Sequence, residues 1–278
     1  MGKLFGKSQS SKVVRETPDG PNAPPTFEAS TQPPEFPPFS TSFASVSLHR
    51  TDRIRLLQFP LDEIEGVRTV IQRFWPKGIQ DERIVNNSHE FKLNGNPWTG
   101  NSSSEKTPSR IVMREILAQL FSRGWILMVS TNISKNEYDQ DTMFFRKQLT
   151  PPPPSEWMAI SFNRKDRLRL IGAPQEVIAG FTGVLQRMNL FLDGQLKDQQ
   201  NNMYEFRCTG HPWKAMAEET MTTRQLFLKM LETLERYGFS LYASLNQNNG
   251  DEDDSQQAES WYCVRDRDWV ENKPVFHR

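Results

Sequence analysis

The chain has 278 residues, 34 Lys and Arg against 34 Asp and Glu, and a formal net charge of zero. That length holds one or two domains, and the balanced charge lacks the bulk basic excess that marks nucleic-acid binding. Two cysteines, Cys208 and Cys263, are too few for a disulfide scaffold, and neither lies in a Cys-x-x-Cys or Cys/His cluster suited to zinc.

The first 42 residues hold eight of the 19 prolines and almost no apolar periodicity. They read as a disordered leader over 1–42. Its charges are sorted: Lys3, Lys7, Lys12 and Arg15 precede Glu16, Asp19, Glu28 and Glu35. Gly2 follows the initiator, and the myristoylation pattern M-G-x-x-x-[ST] is met except that Gly6 stands at the Ser/Thr position. One myristoyl chain binds a bilayer only marginally, with K of about 10⁴ M⁻¹, and needs a second signal. Four basic residues at roughly 1 kcal/mol each near an anionic leaflet supply one. No signal-peptide apolar stretch is present. The longest apolar run, Trp125 to Val129, is far short of the ~18 residues that cross a bilayer. The expected location is cytoplasmic, peripheral on a membrane if the acyl chain is attached.

Beyond the leader the chain says almost everything twice. FASVSLHRTDRIRLLQFP (43–60) aligns with WMAISFNRKDRLRLIGAP (157–174), with seven identities, and EFKLNGNPW (90–98) aligns with EFRCTGHPW (205–213). The offset is 114 at the first pair, 115 at the second, and 114 again where SRGW (122–125) meets RYGF (236–239). Constant spacing of this kind marks a tandem duplication. Repeat one is placed at 43–150, a proline linker at 151–156, and repeat two at 157–278.

Overlaying the copies predicts the elements in order. FASVSL and RIRLLQF alternate as two strands of a hairpin, echoed by WMAISF and RLRLIGA. Pro60 and Pro174 open a helix carrying Ile64, Val67, Val70, Ile71 and Phe74, or Val177, Ile178, Phe181, Val184, Leu185 and Met188. The strand EFKLNG or EFRCTG follows, then a longer helix with Ile111, Val112, Ile116, Leu117, Leu120 and Phe121, or Leu226, Phe227, Met230, Leu231 and Leu234. Gly124 and Gly238 sit at its C-cap, and two strands close each copy. The expected fold is a duplicated α+β, two-layer ββαβαββ sandwich. With residues 43–150 at +3 and residues 155–278 at −3, two separate cores touching through a modest polar interface are expected.

The Gly-x-Pro-Trp phrase reads as structural. Gly95 and Gly210 take a backbone conformation other residues resist, Pro97 and Pro212 stop the strand, and Trp98 and Trp213 cover the end of the following helix. The alternative is a ligand mouth under the Trp. GNPWTGNS (95–102) falls short of a phosphate loop, because Asn101 stands where the lysine belongs. The run Asp251 to Asp254 lacks the spaced ligands and glycine of a calcium loop. No nucleophile, base or ligand set recurs in both copies, so no enzyme, metal or cofactor is expected.

The duplicated R-x-D-R-x-R leaves two readings. Arg53 and Arg55, like Arg167 and Arg169, alternate with core residues and project from the opposite face. With Arg50 and Arg164 they form either an ion-paired strand face or a platform for phosphate or acidic peptide. The sequence favours a non-enzymatic two-module interaction protein tethered to a cytoplasmic membrane face, its protein partner unidentified. The alternative is a cytosolic protein binding a phosphorylated ligand or RNA on its arginine strands.

Overall fold

The computed structural model describes residues 41–98, 103–132, 139–214, 219–246 and 259–275. Alternation makes the first hairpin: β1 (Phe43–His49) and β2 (Arg53–Leu57) pair antiparallel with Val46 opposite Leu56 and Leu48 opposite Ile54. These four side chains are buried beneath α1 (Leu61–Phe74), whose stripe Ile64, Val67, Val70 and Ile71 meets them. Pro60 caps α1 from an extended conformation, φ −60° and ψ 159°, because its ring fixes φ while leaving ψ free to leave the strand. Then come β3 (Ile79–Val85), β4 (Ser88–Leu93), α2 (Ser103–Ser122), β5 (Trp125–Thr131) and β6 (Asp139–Lys147). The six strands form one antiparallel sheet in the order β3-β4-β2-β1-β6-β5.

Repeat two copies this arrangement: β7 (Ser155–Asn163), β8 (Arg167–Ile171), α3 (Gln175–Arg187), β9 (Phe191–Asp198), β10 (Met203–Cys208), α4 (Glu219–Arg236), β11 (Ser240–Asn246) and β12 (Glu259–Asp266). Its sheet reads β9-β10-β8-β7-β12-β11, the same order position for position. The duplicated α+β architecture therefore stands, but each repeat is ββαββαββ. The extra strands are β3 and β9, at the sheet edges. IQDERIV and FLDGQLKD show no strict alternation because an edge strand here is half-exposed or exposed at almost every position. Strand β7 begins at Ser155, so the proline run Pro151–Pro154 alone is the linker.

Both long helices end on the expected glycine. Gly124 and Gly238 have φ of 82° and 79°, and the amide of Phe239 reaches back to the Leu234 carbonyl at 2.9 Å to close α4.

Repeat two keeps its own core, with Ile160, Leu168, Phe181, Phe206 and Met230 between its sheet and α3 and α4, but the expectation of a modest polar interface is overturned. The two sheets share no hydrogen-bonded strand pair, yet one continuous apolar cluster joins repeat one to Ala159, Ile171, Met203, Ala243, Leu245 and Tyr262 of repeat two. Helix α2 makes the bridge. It lies against its own sheet on one side and against β7 on the other. Ile111, Val112, Met113, Ile116, Leu117, Leu120 and Phe121 are all buried, too many in eleven positions for a one-sided stripe. The polymer thus layers as sheet, helices, sheet, helices. The second sheet is covered on both faces: α3 and α4 on one, α2 on the other.

Candidate functional site

The face of each sheet turned away from its own helices carries the sequence-predicted arginines. In repeat one, Arg53 Nη1 and Arg55 Nε donate to the two carboxylate oxygens of Glu90 at 2.8 and 2.5 Å, and Arg83 Nη2 lies 2.7 Å from the same group. In repeat two, Arg167 Nη1 and Arg169 Nε clamp Glu205 at 2.6 and 2.7 Å. Strand pairing explains the match, since Arg55 stands opposite Glu90 and Arg169 opposite Glu205. Both glutamates are buried. Burial alone raises the Glu90 carboxyl, but hydrogen bonds from Arg55 and Arg83 and the charges of Arg55 and Arg53 outweigh it and hold it below its ordinary range. Glu205 follows the same balance, with Arg169 first and Arg167 second against burial. The four arginines are engaged within the sheet, which leaves little of the phosphate platform. Arg50 and Arg164 stand apart, exposed in the two hairpin turns with left-handed φ of 52° and 49°.

The Gly-x-Pro-Trp phrase clasps that same hairpin. Gly95 and Gly210 have φ of 84° and 69°. The indole N–H of Trp98 donates to the Arg53 carbonyl and that of Trp213 to the Arg167 carbonyl, each at 3.1 Å. The Trp98 amide reaches the Thr51 carbonyl at 3.0 Å, and the Trp213 amide reaches that of Lys165 at 3.4 Å. Each Trp therefore hangs on the start of β2 or β8 instead of merely covering a helix end. Trp98 is fully buried and Trp213 half-buried, where its ring stacks on Phe227 of α4 and meets Phe162 edge-on at 4.9 Å. Pro97 and Pro212 are buried beside them.

Sequence reasoning missed Glu90 and Glu205, although the repeated Glu-Phe of both phrases marks them. It also missed Arg110, which α2 inserts against the second sheet. Arg110 is 1% exposed; its Nε donates to Ser260 Oγ at 3.1 Å and its Nη1 to Ser109 Oγ at 2.9 Å. Burial, with a further contribution from Arg169, lowers its affinity for the proton. Around it Arg114 Nη1 donates to the Ile171 carbonyl at 3.3 Å, and Phe121 packs edge-on against Trp157 and Tyr242. At the rim the Leu127 amide donates to Tyr242 Oη at 2.7 Å, and the Asn246 amide to Asp141 Oδ2 at 2.7 Å.

The corresponding face of the first sheet has no helix of the described residues seated on it. There Phe43, Leu57, Met128 and Val129 are 51, 39, 57 and 50% exposed. Phe144 is half-buried among them, paired with Ser45 on β1 and Val129 on β5. This is an apolar surface around an ion-paired Arg–Glu centre, and it is the candidate binding face.

The thiols are sequestered: burial, helped by Asp166, pushes Cys208 up to about 12, and burial raises Cys263 further. Among the described residues no cluster of three His, Cys, Asp or Glu is placed to hold a metal ion, and no helix is long and apolar enough to cross a membrane. Gly2, Lys3, Lys7, Lys12, Arg15 and the run 251–254 lie outside the described residues.

One family model of a single domain matches the chain twice, over residues 42–146 and 156–264. The chain belongs to that domain family and carries two copies of it. The crystal structure of a conserved kinetoplastid-specific protein from Trypanosoma cruzi aligns over 100% of its own length with 39% of this chain, at 16% identity and a TM-score of 0.31. That likeness is too distant to carry an inference. No curated protein matches the sequence.

Proposed function

We propose that the protein is a non-enzymatic two-module interaction protein, held at a cytoplasmic membrane face by an acyl chain on Gly2 together with Lys3, Lys7, Lys12 and Arg15. The open side of the first sheet is the partner-binding face. One observation carries the reading: Phe43, Leu57, Met128 and Val129 are exposed together on one sheet face, where isolated surface apolars need no explanation but a contiguous group does. The arginines on this face favour a protein surface over a phosphorylated ligand, because Glu90 already engages Arg53 and Arg55.

The test replaces Met128 with a photo-crosslinking residue in cells, with and without Gly2→Ala, and separates membrane from cytosol. Covalent protein adducts through residue 128 and release of the Gly2→Ala form from membranes are expected. Absence of any protein adduct overturns the binding face. An unmodified or acetylated N-terminus by mass spectrometry, with an unchanged distribution, overturns the tether.

A further inference from the structure

Resting on the reading that the open side of the first sheet is a partner face, we propose that its partner is a second copy of this chain. The outer side of α4 in one molecule docks on the first sheet of the next, repeating between molecules the contact that α2 makes with the second sheet within one.

The exposed residues identify the face. At the 114-residue offset, Phe43, Leu57, Met128 and Val129 correspond to Trp157, Ile171, Tyr242 and Ala243. All four of those belong to the surface that receives α2. Ile171 and Ala243 are buried in the shared cluster, while Trp157 and Tyr242 enclose Phe121 with ring centroids 5.4 and 5.3 Å away. Even the irregularity is copied, since β5 slips register between Leu127 and Val129 and β11 between Leu241 and Ala243. By strand pairing Phe144 stands where Tyr262 stands, opposite Ser45 in one repeat and Ala159 in the other. The first sheet is thus a second helix seat, presented to solvent instead of to α2.

Helix α4 carries the matching surface. Arg224 occupies the place of Arg110 and Leu228 that of Arg114 on its outer side, while Phe227 and Leu231, at the places of Met113 and Leu117, are half-buried against the core of their own repeat. Leu228 is 60% exposed and Met221, one face-repeat earlier, is 54% exposed. Within the chain Arg110 donates to Ser260, which pairs with Ser161. On the first sheet Thr142, paired with Ser47, offers Arg224 a hydroxyl at the same place. Net charge agrees with the direction, because repeat two at −3 meets repeat one at +3, although salt screens part of this attraction. Each copy has one helix face and one sheet face, so the contact is heterologous and grows into a ring or an open chain of molecules.

The test uses the full chain and sedimentation velocity over a wide concentration series, with two variants changed only at exposed positions. One carries Met221→Glu and Leu228→Glu on α4; the other carries Leu57→Glu and Met128→Glu on the first sheet. The parent is expected to form species larger than a dimer as concentration rises, and each variant alone to remain a monomer with unchanged thermal unfolding. Mixed together, the variants should form one dimer and nothing larger, through the single intact pair of faces. If either variant misfolds, Leu228→Lys and Met128→Lys replace them. A monomeric parent at every concentration, assembly indifferent to both variants, or a mixture that stays monomeric overturns the proposal. Crosslinks from residue 128 to other proteins without links to this chain also overturn it, while leaving the partner face standing.

Discussion

The shared core makes Phe121→Ala the most informative single change. Phe121 ends α2 at 2% exposure, wedged edge-on between Trp157 and Tyr242 of the other repeat. Truncating a buried Phe costs about 3–5 kcal/mol in lost transfer energy and residual cavity. The two aromatic pairs, at roughly 0.5–1.5 kcal/mol each, are part of that sum. Against a total stability of about 5–15 kcal/mol, this is roughly a fifth or more. Where the loss appears tests the architecture. If α2 welds the repeats, urea unfolding followed by tryptophan fluorescence stays a single transition with a lower midpoint and an unchanged slope. Hydrogen exchange should then show amides of β1–β6 and β7–β12 losing protection by similar amounts. A variant in which β7–β12 keep parental protection, or in which unfolding splits into two transitions, refutes the shared core.

Trp98→Ala removes a fully buried indole and its hydrogen bond to Arg53 and should destabilise by ~3–5 kcal/mol, whereas half-buried Trp213→Ala should cost clearly less; equal losses in chemical denaturation would count against the clasp. Glu90 and Glu205 sit below their unfolded value of about 4.5, so the native state binds fewer protons in acid, and their contribution is complete above that value and fades as pH falls through the lowered ones. Glu205→Gln should therefore flatten the acid side of the stability–pH curve, and a slope as steep as the parent's would show that the clamp is not its source. Gly210→Ala meets nothing within 4 Å and should cost only its left-handed φ, about 1–2 kcal/mol, while Gly238→Ala also drives a methyl into the ring of Trp269 and should cost more by thermal unfolding.

How far the residues alone carried the reading depended on which contacts stay local. The hairpins, four helices and glycine caps are intra-repeat features, and periodicity written twice exposes them. Ile79–Val85 and Phe191–Asp198 escaped because an edge strand bonded on one side and solvated elsewhere needs no alternation. The Arg53–Arg55 alternation showed a face but not its partner, because Glu90 is 35 residues from Arg55 and becomes its neighbour only through β2–β4 pairing. The candidate binding face was hidden for a deeper reason. Phe43 and Trp157 read alike as strand starts, and only the placement of α2 half-covers one and leaves the other in water.

That asymmetry is written on the helices, and it sets up the remaining prediction. Both α2 and α4 carry one apolar stripe for their own sheet: Val112, Ile116 and Leu120 in α2, and Leu226, Met230 and Leu234 in α4, all buried. Only α2 completes a second side, with Arg110, Arg114 and Phe121 against the neighbouring repeat. Helix α4 packs Phe227 and Leu231 against its own repeat and carries the charged Glu235 at the position of Phe121. If α4 docks between molecules as α2 does within one, Glu235 is where the intermolecular contact is weaker than its internal template. Glu235→Phe then supplies the missing aromatic for Phe43 and Met128 of the next copy, the counterparts of Trp157 and Tyr242. A buried aromatic anchor at an interface is worth about 2 kcal/mol or more, so self-association should tighten at least about tenfold. Sedimentation of the variant beside the parent measures this directly. The gain should vanish when Leu57→Glu and Met128→Glu are added to the same chain. A variant that folds normally yet associates no more tightly, or whose added association survives those sheet changes, shows that α4 does not reuse the seat built for α2.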